Sequence, residues 1–384
     1  MDLKTNSDII FTRYLYIKDE VELSLLVSIL NKSNDSLFWA YELYYSGFKD
    51  ELFTYIWKIY YDFFATLNPT FGSYLLTKYD EFITNEATVS SIICTLLFRP
   101  FNTDIYFLRN ICKSFEINID YITPITNIES CRINFTEWIA TNNYRSIAEW
   151  ILNGNKNIIS QNDVYKLCVE LTNAKPCKKF NTLLTSCNID PNIILLANVM
   201  CLISQKHNLK KGKIIYVSSK LNDIIPYQTV YVANGLPHYR VLQKVYTSGI
   251  DDYKHLSLFK LKRHKYNIKQ MYLGNWLYYA SFSPLWHQRI TSYGGIIDHE
   301  LNKVVFNDDD LLEEFYRCYG YEPDEQKQCV QNKSIMNIET VHNWKWFHNK
   351  YKHNGLFEPW EEELEEFNND GISENYVFLK NVKK

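Results

Sequence analysis

Residues 50–67 read DELFTYIWKIYYDFFATL. At 3.6 residues per turn, Leu52, Ile56, Ile59, Phe63 and Leu67 form one stripe, and Phe53, Trp57, Tyr60 and Phe64 form a second beside it. A surface helix carries one apolar stripe, so this width predicts a helix packed between neighbours. Asn68-Pro69 stops it, because the residue before a proline is pushed out of the helical region. The flanking sequence supplies further helices. Upstream, Asp19 caps a helix that aligns Val21, Leu25 and Ile29, with Leu26 and Leu30 beside them. After a break at 31–35, a second helix carries Leu37, Phe38, Ala40, Tyr41, Tyr44 and Tyr45 and ends at Ser46-Gly47, where glycine is favoured. These two form a helical hairpin. Downstream, helices are expected over 70–83, 86–98, 103–114, 135–153, 161–172 and 192–205. The expected fold is mostly α, with an all-α helical-hairpin unit over 1–205 in the manner of a solenoid of helical pairs, although no repeat of fixed period is present.

Beyond 205 the texture changes. Ile214–Val217, Thr229–Val232 and Leu256–Leu261 read as short strands, broken by Ile225-Pro226 and Asn234-Gly235. A helix over 268–280 carries Met271, Trp276 and Tyr279. A hairpin is expected in which Ile296-Ile297 pairs with Val304-Val305-Phe306. Asp308, Asp309 and Asp310 open a helix with Leu311, Leu312, Phe315 and Tyr316 inside it, acids being favoured at the positive end of the helix dipole. The second expected unit is therefore a smaller mixed α/β one over 206–320. The remainder, 321–384, reads as an acidic, partly ordered segment with aromatic islands at 342–348 and 360–367 and a last strand at Tyr376–Leu379.

Charge divides the chain in the same places. Residues 206–269 hold thirteen Lys or Arg against three Asp, a net of +10 in a chain whose total is −3. Residues 298–374 hold nineteen acids and seven bases, a net of −12. The basic stretch has two readings: a phosphate or polyanion surface, with nearby tyrosines stacking on bases, or a solvated face that complements the chain's own acidic segment. Its candidate contacts are Lys210, Lys211, Lys213, Lys254, Lys260, Lys262, Arg263, Lys265 and Lys269. Arg289, in a cluster with Trp286 and Tyr293, is either a phosphate fork or a loop tie stacked on its aromatic neighbours.

In the acidic segment, Trp360, Leu364 and Phe367 stand at i, i+4 and i+7, the anchor spacing of a helix lying in a groove, with Pro359 suited to a first turn. They dock either onto a partner or onto the protein's own core. Neither a metal nor a cofactor is expected: His342, His348 and His353 turn to different sides of a helix, and Asp308–Asp310 read as a helix start rather than a cation site. Walker, dinucleotide, serine-elbow and kinase patterns are lacking, which makes catalysis the minority reading. Nine cysteines without a C-x-x-C pair point to reduced thiols in a cytosolic setting. The first eight residues are polar and imply no leader. The most apolar run, 193–204, is well short of the roughly 20 residues that span a bilayer, so no membrane partner is expected.

Three runs, RYLYIKDEV at 13–21, FWAYELYYSGF at 38–48 and IWKIYYDFF at 56–64, resemble uncharacterised proteins of giant nucleocytoplasmic DNA viruses of the mimivirus and phycodnavirus kind. Residues 308–326, with EEFY at 313–316 and YEPDE at 321–325, are similar to a second signature of that family. The resemblance implies a place in a cytoplasmic viral factory or a virion and brings no catalytic residues. Together these features lead to a non-enzymatic viral scaffold or interaction protein, with protein partners engaged through the helical unit and the basic surface. The alternatives are an RNA- or DNA-associated factor in viral transcription, translation initiation or genome packaging, and an enzyme of unrecognised fold.

Overall fold

A computed structural model describes residues 9–207, 209, 215–228, 269–319, 323–325, 327–334 and 344–369. The protein is mostly helical, with a small two-stranded sheet toward the C-terminus. Two compact units interleave along the chain: one is Met1–Leu52, Ser218–Asn343 and Asn368–Lys384, the other Phe53–Val217 and Trp344–Phe367. Composition marks breaks after 205 and 320, whereas the chain passes between the units after Leu52, Val217, Asn343 and Phe367. Charge reports the surface of a segment, and packing decides which segments belong together.

In the first unit, Lys18–Leu30 packs on Asp35–Tyr45, and the expected stripe Val21, Leu25, Leu26, Ile29 and Leu30 is buried. Gly47 ends the second helix at φ +93°, with its own N–H donating to Tyr44 O and that of Phe48 to Leu43 O, which satisfies the last carbonyls. A Cβ there would also come within 2.6 Å of Pro284, so both backbone and space require glycine. The turn before the hairpin, residues 12–15, is tied to it by polar groups. Glu42 accepts from Arg13 Nε at 2.8 Å, Thr12 Oγ1 at 2.6 Å and Tyr14 N at 3.0 Å. Arg13 also donates from Nη2 to Tyr227 O. Ile9, Phe11 and Leu15 then join Met271, Trp276, Trp286, Ile290 and Phe315 in one core cluster.

The helix expected over 268–280 divides at Asn275 into a π turn, Gln270–Gly274, and a short α-helix, Trp276–Ala280. The hairpin forms as read, Gly295–Asp298 with Lys303–Phe306, in the register Ile296↔Val305 and Ile297↔Val304. Asp308 Oδ1 accepts from Leu311 N at the start of Asp309–Tyr319. Phe315 is buried there, but Leu311 is exposed; the first turn of this helix lies beyond the core. Of the strand expected at Ile214–Val217, residues 215–217 belong to no sheet among the described residues. Thr229–Val232, Leu256–Leu261 and Tyr376–Leu379 lie outside the described residues.

In the second unit the wide-faced helix continues from Ile59 into a π turn, Tyr60–Phe64, and residues 59–65 are all buried, as the double stripe requires. The one acid of this turn, Asp62, meets Arg109 in a two-pronged pair at 3.1 and 2.9 Å. Pro191–Lys206 is central: it packs against Asp104–Ser114, Trp150–Gly154, Gln161–Thr172, Phe180–Ser186 and Tyr60–Phe64. No described helix is long and apolar enough to cross a membrane. The helices expected over 70–83 and 135–153 are each broken. The first becomes Pro69–Leu76 and Tyr79–Thr84; the second becomes Ile128–Ala140 and Tyr144–Glu149, parted where Asn142 takes φ +57°.

Candidate functional site

Part of the acidic segment, Trp344–Phe367, belongs to the second unit. Trp344–Tyr351 turns Trp344, Phe347, His348 and Tyr351 inward. Phe347 lies against Phe63, Tyr106 and Phe107, and His348 stands edge-on to Phe107 at 5.1 Å. Burial lowers the His348 pKa, with nearby Lys352 adding to the effect, and its Nε2 has no hydrogen-bond partner among the described residues.

The loop after this helix is caught by Asp104, the first residue of Asp104–Ser114. Its carboxylate accepts from Leu356 N at 3.0 and 3.2 Å and from Phe357 N at 3.3 Å. Asn102 Nδ2 donates to Asn354 O in the same loop. A Cβ at Gly355 would stand 2.6 Å from Asp104 Oδ1, so only glycine lets the backbone come this close. Burial pushes the Asp104 pKa up to about 7, although the two N–H groups oppose the shift.

The last turn of the dock is ionic. Arg145 donates to Glu363 from Nε at 3.2 Å and Nη2 at 2.8 Å, with side chains 16% and 6% exposed. Glu363 Oε2 also accepts from Trp360 N at 2.7 Å, closing the start of Glu361–Asn369. The same guanidinium lies 3.8 Å from the Trp360 ring centre and 4.8 Å from that of Phe357. Lys345 pairs with Glu361 and Glu365, and Lys352 with Glu358. Of the predicted anchors, Leu364 is buried in its own unit and Trp360 is 60% exposed beside Arg145. The Phe367 side chain lies outside the described residues.

The Asp104 shift has a signed consequence for pH. The folded protein holds this proton at pH values where the unfolded chain, with an ordinary value near 3.8, has released it. Its contribution to stability is therefore complete below about pH 4 and is lost as the pH rises to 7. His348, shifted the other way, contributes stability that is lost as the pH falls below its ordinary range. Comparing Asp104→Asn with wild type isolates the first effect. The melting temperature of wild type relative to the variant is expected to fall between pH 5 and pH 8; parallel profiles would contradict it.

The basic stretch is described only at its edges. Lys206, Lys220 and Lys269 are exposed. Lys210, Lys211, Lys213, Lys254, Lys260, Lys262, Arg263 and Lys265 lie outside the described residues. Arg289 is buried, its guanidinium 4.6 Å from the ring centres of both Trp286 and Tyr319. Near the start of the stretch, buried Arg99 donates from Nη2 to Ile215 O at 3.0 Å and faces the Tyr216 ring at 4.7 Å. Its Nε has no hydrogen-bond partner, and it makes no ion pair among the described residues.

Among the described residues, no group of three His, Cys, Asp or Glu is placed to hold a metal ion. His353 is exposed and His348 is enclosed by aromatic rings. Asp104, Arg145 and Arg99 escaped the sequence reading because each is a single charge in or beside an amphipathic helix. The one available signal was Asn102-Thr103-Asp104, a helix start that says nothing of burial. In comparisons with protein-family models, with curated proteins and with solved structures, the chain finds no match.

Proposed function

We propose that the protein is a non-enzymatic interaction protein whose helical framework carries the basic stretch 206–269 to a polyanionic partner. The observation that carries this reading is the internal pairing of the acidic segment. Glu358, Glu361, Glu363 and Glu365 are engaged by Lys352, Lys345 and Arg145 of their own unit, so these carboxylates are not waiting for the basic stretch. With these four of the nineteen acids of 298–374 occupied in their own unit, another molecule is the favoured complement of a stretch of net charge +10. The family resemblance alone supplies the proposed setting, a viral factory or a virion.

The test is binding of heparin, a polyanion without bases, to the full chain at two salt concentrations. Affinity is expected to fall steeply with salt, and replacing Lys260, Lys262, Arg263 and Lys265 with Glu is expected to abolish it. Changing the exposed Glu361, Glu362 and Glu365 to Gln should leave it within about twofold, a difference small beside a tenfold step of 1.4 kcal/mol. Salt-independent binding, or a large gain from the Gln variant, would count against the reading.

A further inference from the structure

Tyr216 lies in the part of the basic stretch, Lys206 to Lys220, that carries five lysines and no acid. Its ring is 46% exposed although it is held from behind. Tyr74 packs on it with ring centres 4.8 Å apart, and the Arg99 guanidinium lies at 4.7 Å. The backbone is pinned on both sides of it. Ile215 O accepts from Arg99 Nη2, and Val217 N donates to Thr95 Oγ1, each at 3.0 Å. An aromatic side chain in an irregular segment ordinarily turns inward or moves freely; this one is fixed with much of its surface open, beside exposed Ile215.

Arg99 adds a second, independent observation. It is 1% exposed, has no carboxylate against it among the described residues and leaves Nε without an acceptor. A buried cation without a counter-charge is costly and keeps a positive potential behind the ring. Fixed aromatic surface over a cation, in a run of lysines, suits a ligand that offers a flat π face and phosphate charge together. Acidic peptides and sulfated sugars offer the charge without the face, and a duplex keeps its bases stacked on one another.

We infer that Tyr216 is a base-stacking position for single-stranded nucleic acid, with Tyr74 and Arg99 holding the ring and with the net positive charge of the stretch drawing in the phosphates. The inference rests on the polyanion reading and narrows it to one class of ligand.

Fluorescence anisotropy on the full chain tests it with three probes: an unstructured single-stranded oligonucleotide, an abasic strand of equal length, and heparin. The base-bearing strand is expected to bind about tenfold tighter than the abasic one. Tyr216→Ala should remove that advantage, Tyr216→Phe should keep it, and heparin affinity should change under neither. Equal binding of the two strands by wild type, or an unchanged advantage in Tyr216→Ala, overturns the stacking position. Heparin binding without any preference for bases defeats this inference and leaves the polyanion reading in place; no binding of any probe at low salt defeats both. Should Tyr216→Ala fail to fold, a strand bearing 5-iodouridine is crosslinked to wild type and the adduct mapped by mass spectrometry. A crosslink at Tyr216 is expected, and adducts confined to other residues overturn the inference.

Discussion

Glu42→Ala is expected to cost about 3–5 kcal/mol, the range for removing one partner of a buried ion pair. Glu42 is fully buried, and its two oxygens are the acceptors of Arg13 Nε, Thr12 Oγ1 and Tyr14 N. Alanine leaves a buried guanidinium, a hydroxyl and an amide without them at once. Natural domains have about 5–15 kcal/mol of stability, so this loss should bring the first unit close to unfolding. Gln in its place keeps the volume and one acceptor and should cost roughly half as much. The paired replacement Arg13→Met with Glu42→Leu removes the charges but not the needs of Thr12 and Tyr14, so it should recover only part of the loss. Hydrogen exchange at the amides of Lys18–Leu30 and Asp35–Tyr45 measures all three variants. If Glu42→Ala costs less than about 1 kcal/mol, the network contributes specificity and little stability.

Sequence reading succeeded where the physics is local. The stripe Val21, Leu25 and Ile29, the glycine stop at Gly47 and the register of Ile296-Ile297 on Val304-Val305 each depend on residues within about a dozen positions. It faltered where one residue's backbone decides. Asn142 and Asn143 look like polar positions on a continuing helix, yet Asn142 goes left-handed and Asn143 caps the next segment. Phe180–Ser186 gives no periodic signal, because only Phe180 and Leu183 are buried.

The candidate site was legible as charge and illegible as contact. The spacing of Trp360 and Leu364 marks a helix, of which Leu364 is buried in its own unit, but the groups that hold this segment, Arg145 on Glu363 and Asp104 on the Leu356 and Phe357 amides, stand more than two hundred residues earlier in the chain. A charge count assigns every Glu of the 358–365 run to one acidic field. Packing instead gives Glu363 to Arg145 and buries it, while Glu362 remains on the surface. The same distance in sequence hid Arg99, whose neighbours Ile215 and Tyr216 lie beyond a hundred intervening residues.

Arg145→Ala is expected to release the docked segment. The guanidinium holds Glu363 through two hydrogen bonds and lies against the rings of Trp360 and Phe357, so alanine removes the charge partner and the stacking surface together. Removing one member of such a pair should cost about 3 kcal/mol, with the 16% exposure of Arg145 holding the figure at the lower end of the buried range. Glu363→Ala should cost a similar amount, because it also leaves Trp360 N without its acceptor. Trp360→Ala should cost no more than about 1 kcal/mol, since its ring is mostly exposed and contributes chiefly through the cation. Arg145→Met with Glu363→Leu removes both charges but leaves Trp360 N without its acceptor, so it should restore only part of the stability lost by either single change. Hydrogen exchange at Leu356, Phe357 and Leu364 reports the release directly. Faster exchange there in Arg145→Ala, with Pro191–Lys206 still protected, would show the segment leaving an intact unit. Equal acceleration in both places would instead make Arg145 a support of the whole second unit, and no change would mean that Asp104 and the aromatic cluster of Trp344–Tyr351 hold the segment alone.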